Sequence, residues 1–249
     1  MTTKEEVLQQ CTVQGMVVKL PNVQLERKLY QEVAKALELI GGKWKGGKVY
    51  GFQFPVDPTD LLEEIATGEK RNLKKEYQFF ATPIALANEM FIRAQITSDH
   101  AVLEPSAGQG AIIAIINKVT HAIPDCYELM EINRIMLAKS GLKYNLLGAD
   151  FLQHGQTSNR RYDHIIANPP FTKNQDIDHV YHMYHFLKVG GRLVSIVSES
   201  AINGSQKKQL EFRKWLMDKG AIIHKVPKGT FKESGTMVGA AMIIINSID

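Results

Sequence analysis

The sequence predicts an α/β protein: a seven-stranded, mostly parallel sheet with an antiparallel last strand, preceded by a small α+β unit. Three observations carry this. Short apolar runs alternate with helical segments over residues 76–249, the pattern of a parallel sheet with helices on both faces. Three of the helical segments close on a glycine, at Gly141, Gly190 and Gly220. The last two strand-like runs are joined only by "KGTFKESGTMV", too short for a helical crossover, so they pair antiparallel.

The elements follow in order. Residues 1–75 read as a strand "MVVKLP", a helix "QLERKLYQEVAKALELIGG", a hairpin "KWKGGKVYGFQF" turned at Gly46-Gly47, and a helix "PTDLLEEIATG". In residues 76–249, "AVLEP" is a strand, "AIIAIINKV" a helix and "CYELMEI" the second strand. "NRIMLAKSG" is a helix, while "YNLLGAD" and "DHIIAN" are strands three and four. "QDIDHVYHMYHFLKVG" is a helix ending at Gly190, and "GRLVSIVS" the fifth strand. The helix "SQKKQLEFRKWLMDKG" and the strands "AIIHKVP" and "GAAMIIIN" complete the series.

Composition narrows the function classes. Apolar residues make up 44% of the 249 and charged residues 22%, as in an ordinary soluble globular protein. The longest apolar runs are too short to span a bilayer, and "MTTKEEVLQQ" lacks the apolar core of a signal peptide, so a cytoplasmic protein without membrane contact is expected. The two cysteines, Cys11 and Cys126, make neither a disulfide framework nor a metal site. His179, His182 and His185 recur every third residue, but no cysteine or spaced carboxylate completes a ligand set, so no metal is expected. Net charge is +4, and the lysines cluster: Lys43, Lys45 and Lys48 in "GGKWKGGKVY", and Lys70, Arg71, Lys74 and Lys75 in "EKRNLKKEY". Such clusters suit either a phosphate backbone or a solvated face.

Two stretches carry chemistry. In "VLEPSAGQGA" a glycine turn follows the first strand and opens a helix, and Gly108 and Gly110 let the backbone approach a ligand closely. Ile113 replaces the third glycine of a dinucleotide fingerprint. Glu131, at the predicted end of the second strand, suits ribose hydroxyls better than Glu128, which the same reading places mid-strand. Asp150, ahead of Phe151, suits an adenine amine beside a stacking ring, with strand-end capping as the alternative.

In "DHIIANPPFTKN" the prolines stop the fourth strand at Asn168, since neither can donate to a ladder. The Asn168 side-chain oxygen and the Pro169 carbonyl offer two acceptors, Pro170 stiffens the turn and Phe171 offers a ring face. Two acceptors on one amino group orient its lone pair and take up positive charge developing on nitrogen. A planar group bearing an NH2 fits.

Glycine turn, acidic second-strand end, "GADF" and "NPPF", in this order, closely resemble the class I S-adenosylmethionine-dependent amino-methyltransferases, with their Rossmann-like fold. Within these the chain looks most like the N-6 adenine DNA methyltransferases of the gamma arrangement, over residues 77–249. The resemblance includes "QFFATP", and implies that Phe80, Thr82 and Pro83 lie near the methionine moiety of S-adenosylmethionine. It places Glu104, Ser106, Ala107, Gly108 and Gly110 at the methionine end, Glu131 and Ile132 at ribose and adenine, Asp150 and Phe151 at adenine, and Asn168, Pro169, Pro170 and Phe171 in the catalytic loop. "GTFKESGTMVGAAMIII", with Lys232 and Ser234, resembles the hairpin these enzymes place near the target base, and Lys173 flanks the same region. Phe171 stands where Tyr is commoner, losing a hydroxyl and keeping the ring.

The expected substrate is the N-6 amine of adenine in double-stranded DNA. Only "NSID" follows the last strand, so either the N-terminal unit contacts DNA through Lys43, Trp44, Lys45 and Lys48, or recognition is minimal, or a partner supplies it (a homodimer or a recognition subunit); the first is the expectation. A bacterial, phage or mobile-element origin follows from the resemblance. Cytosine carbon-5 methylation needs a thiolate in a Pro-Cys loop, which the chain lacks. Adenine in RNA, glutamine in a protein and a silent DNA-binding subunit of the same fold are the alternatives.

Overall fold

The computed structural model describes residues 2–73, 81–153, 159–232 and 236–248. Phe80, Ser234, Lys74 and Lys75 lie outside the described residues. The chain divides into two compact units, Met1–Gln78 and Phe79–Asp249.

The first unit begins with α1 (Lys4–Gln9), capped by the Thr3 side chain accepting from the Glu6 amide. It continues through β1 (Thr12–Gln14), β2 (Val17–Lys19), α2 (Arg27–Leu39), β3 (Lys43–Lys45), β4 (Gly51–Gln53) and α3 (Thr59–Ala66). The strands form an antiparallel sheet in the order β1-β2-β4-β3. Leu29, Val33 and Leu37, spaced by four, bury one stripe of α2 against Val18, Phe52 and Phe54. The sequence reading placed one strand at residues 16–21; α1 and β1 went unread because three- and six-residue elements leave almost no periodic signal.

The second unit runs α4 (Ile84–Ala94), β5 (Val102–Glu104), α5 (Ala111–Val119), β6 (Asp125–Tyr127), α6 (Glu131–Ala138), β7 (Asn145–Gly148) and β8 (Tyr162–Ala167). Then come α7 (Gln175–Tyr184), β9 (Leu187–Ser198), α8 (Glu199–Asn203), α9 (Lys207–Asp218), β10 (Ile222–Lys225) and β11 (Ala240–Asn246). The seven strands lie in the order β10-β11-β9-β8-β5-β6-β7, parallel except for β11, which is antiparallel to both neighbours. This is the sheet the sequence predicts. Alternation along β11 supplies both cores: Ala241, Ile243 and Ile245 face one, Ala240, Met242 and Ile244 the other. Among the described residues no helix is long and apolar enough to cross a membrane.

Besides small shifts at element ends and the unread short helix α8, two boundaries differ from the sequence reading. α7 stops at Tyr184, and β9 starts at Leu187, ahead of Gly190. Pairing with the chain end extends the strand: the Gly190 amide donates to Ser247 O, and the Ser247 amide to Gly191 O. Gly190 is thus a bend (φ +76°) inside β9 and not a helix stop. The second difference bears on the site: β6 ends at Tyr127, five residues short of the predicted Ile132.

Candidate active site

β5 and β8 are neighbours where the strand order reverses, with β6 and β7 on one side and β9, β11 and β10 on the other. Ligands in open α/β sheets settle at the carboxyl edge of such a switch point. Glu104 is the last residue of β5, and Asn168 directly follows β8.

Glu104 is 1% exposed, and neither carboxyl oxygen has a hydrogen-bond partner. Burial, followed by the negative charge of Glu128, holds its pKa well above the usual carboxylate range. The Ser106 hydroxyl is likewise buried and unpartnered. An orphaned buried acid costs stability unless a donor arrives, so this edge is built to receive one.

The turn from Pro105 to Gly110 approaches β6 closely. The Ala107 amide donates to Tyr127 O (2.9 Å), and the Gly108 amide to Glu128 Oε2 (2.6 Å). Gly108 (φ +56°) and Gly110 (φ +86°) are left-handed. A Cβ on Gly110 would lie 2.6 Å from Cδ1 of both Leu137 and Leu142. Gly110→Ala is expected to cost about 2 kcal/mol, from the left-handed penalty and a forced shift of the two leucines. Chemical denaturation of the variant measures it.

Glu128, not Glu131, stands at the strand end. Because β6 stops at Tyr127, Glu128 is buried there, accepting from Gly108, from the Met130 amide (2.8 Å) and from Asn133 Nδ2 (3.2 Å). Burial raises its pKa, and these hydrogen bonds oppose the rise. Glu131 is exposed on the first turn of α6, where an acid favours the helix dipole, and Ile132 is half-buried beside it. Asp150 Oδ1 accepts from the Leu152 amide (2.9 Å), the capping alternative. Phe151 corrects the expectation of a ring open to a ligand. It is 2% exposed and packs against Tyr127, His179, His182 and Phe186. His179 and His182 of the histidine row thus pack on this ring, burial pushing His179 down to about 4, while the exposed His185 bonds the Tyr181 carbonyl through Nδ1.

At the opposite lip, Asn168 Nδ2 donates to Thr82 Oγ1 (3.0 Å) across 86 residues of chain. Its Oδ1 is buried and has no partner. The amide is therefore anchored by its donor end, with its acceptor end available. Pro83 caps α4, Pro169 is buried, and Phe171 is half-buried, edge-on to Phe231 at 6.5 Å and 88°. The sequence reading named Lys173 as flanking this region, but missed Asn174 and the backbone conformation of both. Lys173 (φ +54°) and Asn174 (φ +60°) are consecutive left-handed non-glycines, a conformation costing roughly 1–3 kcal/mol per residue unless the surroundings impose it. Side-chain amides do so: Asn174 Nδ2 donates to Gln206 Oε1 (2.8 Å), and Gln209 Nε2 donates to Asn174 Oδ1 (2.9 Å). Asp176, fully buried, accepts from the Ser198 amide (2.7 Å) and ties α7 to the end of β9. Its local sequence signal was an acid in the first turn of a helix. The Lys173 and Lys232 side chains are exposed. Cys126 is buried, which pushes its thiol up to about 12, far from a thiolate nucleophile.

The orphaned Glu104, Ser106 and Asn168 oxygens and the left-handed glycine turn fit a cofactor that brings a cationic amine. They also fit a substrate that brings an NH2 group.

Residues 81–216 match the model of the family described as the methyltransferase small domain. No curated protein matches the chain by sequence. Solved structures share the fold. One, assigned to the class I S-adenosylmethionine-dependent methyltransferases of Listeria monocytogenes, is 13% identical with a TM-score of 0.55, covering 77% of this chain and 67% of its own. A modification subunit of a type I restriction enzyme from Vibrio vulnificus is 16% identical with a TM-score of 0.57, covering 92% of this chain. The chain spans 55% of that subunit's length. An RNA methyltransferase from Pyrococcus horikoshii is 15% identical with a TM-score of 0.51, covering 70% of this chain and 89% of its own.

Proposed function

We propose, from the premise that the chain belongs to the methyltransferase small domain family, that it methylates the exocyclic N-6 amine of adenine in DNA. The family and its fold make it a methyltransferase with S-adenosylmethionine as cofactor. The observation that carries the finer reading is the buried, unpartnered Asn168 Oδ1, anchored through Thr82 at the carboxyl edge of β8.

When bound, S-adenosylmethionine supplies a methyl carbon activated by the adjacent sulfonium. Glu104, ionising as it meets a cation, would hold the amine of the methionine moiety, with Ser106 beside it. Glu128 is the acid best placed for ribose, because the strand end carries it and not Glu131. Asn168 Oδ1 and the Pro169 carbonyl would each accept one N–H of the target amine. That turns the nitrogen lone pair toward the methyl carbon, and both oxygens take up the positive charge that grows on nitrogen. Phe171 would stack on the base, and the fixed prolines reduce the entropy lost on ordering the loop. The excess proton leaves to water after transfer, and no covalent bond to the enzyme is needed. Within a duplex, the adenine must leave the stack to reach the loop.

The shared fold of the restriction-enzyme modification subunit supports a DNA substrate, and the Pyrococcus neighbour keeps RNA as the alternative. The test is incubation with tritiated S-adenosylmethionine and separate DNA, RNA and protein pools, then mass spectrometry of the labelled nucleosides. Label in RNA or protein alone removes the reading.

Thr82 is a positioning residue in this scheme. Thr82→Val frees the Asn168 amide and is expected to lower kcat about tenfold, one hydrogen bond's worth, with KM for S-adenosylmethionine little changed. Thr82→Ser, which keeps the hydroxyl, restores the rate.

A further inference from the structure

The strand register of the N-terminal unit sorts its side chains between two faces. Opposite residues share a face, so Thr12, Gln14, Val17, Lys19, Lys43, Lys45, Gly51 and Gln53 lie on one side, and Val13, Val18, Trp44 and Phe52 on the other. The second side is the core side, since Val18 and Phe52 are fully buried with the helices. The first side is open: Thr12, Gln14, Lys43, Lys45 and Gln53 are all exposed. Its strand positions carry three lysines, two glutamines and a threonine, and no carboxylate. The Lys19 ammonium is held by the Val49 and Tyr50 carbonyls, beside the exposed turn lysine, Lys48. Gly51 is buried between strands and leaves no room for a Cβ, which would meet Val18 O at 2.7 Å and Val17 Cγ1 at 2.8 Å.

The aromatic residues that alternate with these lysines in sequence are not interleaved with them in space. Trp44 packs edge-on to Phe52 (5.2 Å) and Tyr50 (5.4 Å), on the core side and at the hairpin loop. These strand positions therefore form no mixed lysine–aromatic surface, since a one-residue step along a strand switches faces. What remains on this side is a cationic and amide surface whose strand positions carry no aromatic ring.

We propose that this face binds the phosphate backbone of duplex DNA without reading sequence, holding the substrate on which the proposed adenine methylation depends. Duplex is favoured because two strands present twice the phosphate density to a basic surface, whereas single strands are held largely by stacking. The inference rests on the DNA reading above, but its readout is binding and not methyl transfer.

The test uses the full chain and fluorescein-labelled 20-base-pair DNA of random sequence, its single strand, and the equivalent RNA duplex, titrated by anisotropy at several salt concentrations. The variants are Lys43→Gln/Lys45→Gln and Tyr50→Ala. The double variant is expected to weaken DNA-duplex binding at least tenfold at low salt. The slope of log affinity against log salt should fall by about 1.8, or 0.9 per lost phosphate contact. Its melting temperature should match wild type, because both lysines are exposed. Tyr50→Ala should change nothing. Unchanged duplex affinity and slope in the double variant would overturn the proposal. So would a loss confined to the RNA duplex, or single-strand binding that exceeds duplex binding and collapses in Tyr50→Ala. Absence of label in DNA alongside intact lysine-dependent duplex binding would sink the substrate reading alone.

Discussion

Replacing Asn168 with alanine is expected to lower methyl transfer at least a hundredfold while leaving affinity for S-adenosylmethionine within a few-fold of wild type. The physical reason is the state of the amide in the folded protein. Its nitrogen end is committed to Thr82 Oγ1, and its oxygen end is buried without a partner. A preorganised dipole of this kind acts on charge that exists only in the transition state, and deleting one such group typically costs 10²–10³ in kcat. The substitution removes an unsatisfied buried oxygen and also the hydrogen bond to Thr82; these effects oppose each other, so Asn168→Ala is expected to lie within about 1 kcal/mol of wild-type stability. A variant that melts normally, binds the cofactor and does not turn over would carry the mechanism. Near-normal turnover, measured by tritium transfer in single-turnover conditions, would end it.

Glu104→Gln is expected to do two opposite things. Cofactor affinity should fall about ten- to a hundredfold, because a charge-assisted hydrogen bond to the incoming amine is lost. The cofactor-free protein should become more stable at neutral pH. The sign follows from the raised pKa. Glu104 keeps its proton in the folded state over a pH range where the unfolded chain has already lost it, so the native state binds more protons there. Glu104's contribution to stability is full below the unfolded carboxylate value of 4.5, and is lost as pH rises from there toward the raised folded value. Glutamine does not titrate, so melting temperature plotted against pH should flatten in the variant. Glu128 and Asp176, also raised by burial, add slopes of the same sign that remain in Glu104→Gln. Unchanged affinity together with an unchanged pH slope would show that Glu104 neither holds the cofactor nor stays protonated in the fold.

Legibility differed by length scale. The glycine turn after β5 was readable because Gly108 and Gly110 are needed for local backbone reasons, and the end of β8 because a Pro-Pro pair cannot continue a ladder. The acid at the end of β6 was misplaced by three residues. "CYELMEI" is apolar enough to continue as strand, and only pairing with β5 and β7 ends it at Tyr127. Phe151 shows the same limit: a ring beside a strand-end carboxylate reads as a ligand contact until α7 is laid over it.

The alternation of strands and longer helices in the second unit, the antiparallel end and the positions of both site-bearing turns were determined by the sequence alone. Each depends on periodicity and on glycine or proline, properties that neighbouring residues settle among themselves. Tertiary structure decided which carboxylate stands at a strand end, which ring is core, and which face the lysines of the first unit share. It also decided that Thr82 would hold Asn168. Those outcomes depend on register and on contacts between residues distant in the chain, where a slip of one position reverses the answer and leaves the local pattern intact.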